Sequence, residues 1–96
     1  MLKIEKKQEG RTLRFALTGE LDSVTSPAFE REVQDIGDAD EVVLDLKDLA
    51  YTSSAGLRVI MGLKRSLGVR PLKLENIGLE VREVFDMTGS SALLGL

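Results

Sequence analysis

Two side chains that dominate enzyme chemistry are missing from this sequence: its 96 residues include no cysteine and no histidine. Without cysteine there is no disulfide, no thiol nucleophile and no thiolate-bound zinc. Without histidine there is no Ser-His-Asp relay and no imidazole metal site. No apolar run approaches the ~18 residues of a membrane span, so direct membrane insertion is not expected. The first ten residues, MLKIEKKQEG, lack the apolar core of about 7–15 residues that marks a signal peptide, and a cytoplasmic location is the default. Basic excess is lacking too. Thirteen Lys and Arg face sixteen Asp and Glu, a net charge of −3, which argues against a nucleic-acid partner. Lys3, Lys6, Lys7 and Arg11 are interleaved with Glu5 and Glu9, the pattern of a solvated strand pair.

What remains is an ordinary globular mixture, 43% hydrophobic and 30% charged. There is no internal repeat, linker or low-complexity tract, so residues 1–96 read as one domain. Leu2 to Thr18 alternates in two runs around Gln8-Glu9-Gly10 and predicts a β-hairpin. Gly19 to Asp22 reads as a loop. Ser26 at an N-cap and Pro27 at the first helical position start a helix to about Ile36, with Gly37 as its stop. Residues 41–46 form an apolar run, the mark of a central strand covered on both faces. Asp48 and a serine loop follow, then a helix over 54–67 that Gly68 ends. Within it, Gly62 predicts close packing on the sheet. Pro71 leads into a strand over 72–75, and a helix over 80–87 ends near Gly89. The order β-β-α-β-α-β-α predicts a mixed α/β sheet of four or five strands with helices packed against it. The turns between strand ends and helix starts are then the functional edge.

Two segments fall on that edge, Gly19–Thr25 and Leu49–Gly56. The carboxylates Glu20 and Asp22 have no third ligand or base at a useful spacing, so neither a metal site nor acid/base chemistry follows. Ser54 lacks the G-x-S-x-G elbow of a hydrolase and any histidine base. The glycines at 56, 62 and 68 lack the spacing of a phosphate-binding loop. No cofactor is implied. The adjacent serines in YTSSAGLRVI are more informative. They sit at a helix N-terminus, where free N–H groups and the helix dipole favour negative charge. One of them can be a simple N-cap. A phosphate on one would equally be held there.

Four segments, LTGELD at 17–22, VVLDLKDL at 42–49, SSAGLRVI at 53–60 and VFDMTG at 84–89, together resemble STAS domains. The similarity is to the stand-alone bacterial anti-sigma factor antagonists and covers residues 2–90. It implies a regulatory module, not an enzyme, whose partner is an anti-sigma factor that is also a serine kinase of the GHKL type. Binding that kinase would free a sigma factor. Phosphorylation would inactivate the antagonist, and a serine phosphatase would restore it. Aligning the family's Asp-Ser-Ser/Thr-Gly segment on Gly56 puts the acceptor at Ser54, with Ser53 and Thr52 as alternatives, and Ser53 where the acidic residue usually stands. The implied binding face comprises Glu20, Leu21, Asp22, Ser23, Thr52, Ser53, Ser54, Ala55, Gly56 and Arg58. The same resemblance allows a second role, a STAS regulatory subunit of a membrane lipid transporter.

Overall fold

The alternating and helical patterns give the seven expected elements in the expected order, with differences at the strand ends and one further short helix after them. A computed structural model describes residues 1–96. The elements are β1 (Leu2–Glu9), β2 (Thr12–Leu21), α1 (Ser26–Gln34), β3 (Glu41–Thr52), α2 (Ser54–Leu67), β4 (Leu72–Glu75), α3 (Leu79–Met87) and α4 (Ser90–Leu93). The single sheet has four strands in the order β1-β2-β3-β4. β1 pairs antiparallel with β2, whereas β2–β3 and β3–β4 are parallel. This is the mixed sheet that the sequence predicts.

Period-two alternation in β2 sends Leu13, Phe15 and Leu17 to one face, in register with Val42 and Leu44 of β3. Phe29 and Val33 of α1, Leu57, Ile60 and Leu63 of α2, and Val81 and Phe85 of α3 close over that face in one core. Each such side chain contributes about 1.5–3 kcal/mol on full burial. β3 is covered on both faces, as the apolar run predicts, but helices supply the cover on one face only. Val43 points away from the core cluster and is still only 2% exposed. It stands in register between Arg14 and Lys73. Arg14 Nη1 donates to Glu75 at 2.8 Å, its Nε donates to Glu9 at 3.2 Å, and Lys73 Nζ lies 3.0 Å from Glu41. The aliphatic stems of these charged residues cover Val43 in place of a helix.

Both loops of the expected functional edge begin later than the sequence suggests. Gly19, Glu20 and Leu21 belong to β2, and Lys47 to Thr52 to β3. The register slips twice: Ala16 pairs with Asp45 but Thr18 with Asp48, and Gly19 pairs with Leu49 but Glu20 with Tyr51. Each slip gives β3 one extra residue, so its buried residues recur every three positions, at Leu46, Leu49 and Thr52. The hairpin turn falls at Gly10-Arg11 rather than Gln8–Gly10. Ser26 and Pro27 are the first two residues of α1 with Thr25 at the N-cap, one position earlier than expected. That helix ends at Gln34, so Asp35, not Gly37, is its C-cap.

The two glycines of α2 have opposite roles. A Cβ on Gly56 would lie 2.5 Å from Leu21 Cγ and 2.6 Å from Thr52 Oγ1. A Cβ on Gly62 would meet only Arg65 Nη2, at 3.8 Å, so Gly62 is not closely packed on the sheet. Gly62→Ala should therefore raise stability by about 0.5–1 kcal/mol through helix propensity. Gly56→Ala should lower it by about 1–3 kcal/mol through overpacking. Chemical denaturation of both variants checks the pair, and a stabilised Gly56→Ala would contradict the packing described.

Candidate partner-binding site

Because β2 and β3 are parallel, they end at the same edge, β2 leading through a four-residue turn into α1 and β3 through one residue into α2. Glu20 lies beside Tyr51 and Leu21 beside Thr52. The Ser53 N–H donates to the Leu21 carbonyl at 2.8 Å, extending the pairing by one bond into the connection.

The turn from Asp22 to Thr25 is braced from within. Asp22 Oδ1 accepts the N–H groups of Val24 at 2.9 Å and Thr25 at 3.0 Å. Thr25 Oγ1 accepts the Asp22 N–H at 2.9 Å and donates to the Glu20 carbonyl at 2.9 Å. These bonds, that from the Thr25 N–H foremost, hold the Asp22 carboxyl below its ordinary 3.8 against the opposing effect of burial. Asp22 thus braces the turn ahead of α1, whose N-cap Thr25 makes no side-chain capping bond, and Ser26 does not cap the helix as the sequence suggested. The Ser26 hydroxyl is buried and has no partner. No group of three or more carboxylates is placed to hold a metal ion.

Three hydroxyls follow one another at the start of α2, and the structure separates them. Thr52 is fully buried and its Oγ1 donates to the Ser53 carbonyl at 3.2 Å. Ser53 occupies the N-cap, yet its hydroxyl makes no capping bond and is buried without a partner. Ser54 is the first helical residue and is exposed. The first helical N–H to find an acceptor is that of Leu57, on the Ser53 carbonyl at 3.1 Å. The N–H groups of Ser54, Ala55 and Gly56 are left free, the usual state of a helix start. The first turn carries no acidic residue, so the positive end of the dipole is not offset there. Arg58 is exposed one turn further on.

A STAS domain family model matches residues 3–95. The chain belongs to the STAS domain family. It is similar to an anti-sigma-B factor antagonist of Bacillus subtilis, 26% identical over 99% of this chain and 90% of that one. An anti-sigma factor antagonist from Mycobacterium paratuberculosis has the same fold, with a TM-score of 0.85 and 20% identity over 97% of this chain and 82% of that one. The Bacillus cell fate determinant SpoIIAA in its phosphorylated form matches with a TM-score of 0.73 and 21% identity, over 94% and 86% of the two chains.

In this STAS domain the sheet edge brings Glu20, Asp22, Ser23, Ser54, Ala55 and Arg58 together. Ser23, Ala55 and Arg58 line a groove of about 320 Å³ between the starts of α1 and α2. Leu21, Thr52 and Gly56 are buried beneath that edge, so their side chains support the face rather than touch a partner. Of the alternative phosphoacceptors, Thr52 is closed to solvent and the Ser53 hydroxyl is covered. Asp45 lies back along β3, where Asn76 Nδ2 donates to it at 3.0 Å, and is no part of the edge. Val24 and Tyr51 lie in the two edge segments but not among the residues of the implied binding face, and they are 84% and 49% exposed beside them. An apolar residue inside a polar turn, as in Asp-Ser-Val-Thr, was the available signal for Val24.

Two outcomes follow for the edge. Because Ser53 makes no capping bond, Ser53→Ala should change stability by less than the about 0.5–2 kcal/mol that loss of a true cap costs. Equilibrium unfolding measures it, and a larger loss would show that the hydroxyl caps after all. Asp22 is depressed in the folded state, so it supports the turn fully above 3.8 and loses that support as pH falls through its lowered value. A carboxyl NMR titration should place its midpoint below 3.8. A midpoint at or above that value would remove the brace from the account.

Proposed function

We propose that this STAS domain is an anti-sigma factor antagonist in a cytoplasmic partner-switching pathway, a regulatory module and not an enzyme. It binds an anti-sigma factor that is also a serine kinase of the GHKL type, and so frees a sigma factor. Phosphorylation of Ser54 ends that binding, and a serine phosphatase restores it. The observation that carries the reading is the exposure of Ser54 at the first position of α2, above two covered hydroxyls. Similarity to named antagonists along almost the whole chain supports it, as does the fold shared with a relative solved in a phosphorylated form.

The physical account of the switch is a balance of small internal terms against a large interfacial one. A phosphate brings about −1.5 to −2 charges near pH 7. At the start of α2 it gains about 0.3–1 kcal/mol from the dipole. Glu20 and Asp22 on the same edge offset part of that gain, so the domain stays folded. Against a partner, the same charge meets desolvation and like-charge contacts that cost several kcal/mol.

Incubation with the serine-kinase anti-sigma factors of the source genome and ATP, followed by mass mapping, should place one phosphate on Ser54. The modified protein should bind the kinase at least about a hundredfold more weakly, which is ~2.8 kcal/mol, with an amide NMR spectrum changed only around the edge. Modification at another residue, an intact affinity or a globally altered spectrum would refute the mechanism.

A further inference from the structure

α2 carries three cations, Arg58, Lys64 and Arg65, and no acidic residue. None of the three has a carboxylate within ion-pair distance, although Lys3, Lys7, Arg11, Arg14, Lys73 and Arg82 all do. Lys6 and Arg70 are bonded to backbone carbonyls. Arg31 and Lys47, which also lack a bonded partner, are each the only cation on an element that carries acidic residues as well. In a chain of net charge −3 the unpaired cations are therefore gathered on one helix.

Two of them share a stripe with Ser54. At 3.6 residues per turn, Arg58 and Arg65 fall within about 40° of Ser54 around the helix axis, and ~10 Å apart along it. Between them lies the open position Gly62, with Val59 and Leu63 on the floor of a groove of about 340 Å³ against α1. Glu30 reaches that groove from α1, and it forms no ion pair with either arginine. The stripe is thus continuous with the edge that holds Ser54.

We infer that this stripe docks a partner α-helix bearing two carboxylates seven residues apart. Such a helix presents its charges ~10 Å apart, the spacing of Arg58 and Arg65. Charge complementarity selects the occupant: an acidic helix is attracted by the unpaired arginines and a basic one repelled. The same geometry gives phosphate at Ser54 a second effect. One turn before Arg58 it stands at i, i+4 spacing, where it pairs with the guanidinium and withdraws it from the partner. The inference rests on the antagonist reading for this link to Ser54, but not for the chemistry of the docked helix.

The test uses the full chain, labelled for amide NMR, and three helical peptides that carry Glu, Gln or Lys at two positions seven residues apart. The Glu peptide should perturb amides around Arg58, Gly62 and Arg65, and bind at least about tenfold more tightly than the Gln peptide at low salt. The Lys peptide should not bind. Arg58→Gln with Arg65→Gln should abolish the preference for Glu, and Ser54→Asp should weaken it. Equal binding of Glu and Gln peptides, or perturbation centred away from α2, would overturn the inference. The two readings fail separately. A chain that kinases leave unmodified at Ser54 while it prefers the Glu peptide refutes the antagonist switch alone. A chain phosphorylated at Ser54 that ignores the Glu peptide refutes the docking stripe alone.

Discussion

The missing side chain of Gly56 fixes where α2 begins relative to the sheet. With no Cβ in the way, the first turn of the helix closes onto Leu21 at the end of β2 and Thr52 at the end of β3. Those two residues are themselves paired across the strands, so the contact joins both parallel strands to one helix. A connection of one residue, Ser53, is enough to turn the chain from strand to helix because the strand continues to the point of contact. Position and exposure of Ser54 follow. It is the first residue that the packing no longer claims.

Charge is distributed so as to leave this edge available. On the helix-free face of the sheet, Arg14 serves Glu9 and Glu75 while Lys73 serves Glu41, and both cover Val43. These pairs are partly exposed, and their worth to stability is about 0–1 kcal/mol each at most. Their larger consequence is that the open face presents few uncommitted charges. Three of the five cations without a bonded partner lie on α2, which has no acidic residue of its own. A helix that carries three unpaired cations and no acidic residue carries orientation information for an incoming charged partner.

Much of this was legible in the sequence. The alternation in β2, the helical spacing of Leu57, Ile60, Met61 and Leu67, and the four-segment resemblance all pointed to the observed fold and to the serine at the start of α2. The strand ends were not legible, because the rule used to find strands assumes a period of two. Beyond Asp45, β3 carries extra residues and its buried positions fall three apart, so Leu49 and Thr52 looked like loop. Gly19 looked like a breaker for a similar reason, although it sits within β2 at φ +106°, where a Cβ would collide with the Met1 carbonyl. Ser26 was misplaced as the cap because a helix start and the Asp22 turn before it use the same residue types. Only the hydrogen bonds distinguish them. Gly62 was misread, and the cover over Val43 was not foreseen, because sequence gives apolarity and size but not what stands opposite.

The separation of capping from exposure gives the edge its character. A serine whose hydroxyl caps a helix is a poor place for a reversible charge, since modification removes the bond that holds the helix end. Here the N-cap position is filled by a serine whose hydroxyl is covered and idle, and the exposed hydroxyl lies one residue later with no structural bond to lose. The backbone N–H groups around it remain free to receive an anion. Fold and signal therefore depend on different atoms of adjacent residues. A charge can be added or removed at Ser54 while the Gly56 contact, the braced turn at Asp22 and the core beneath them stay as they are. The burden of responding to that charge then falls on whatever docks against the edge.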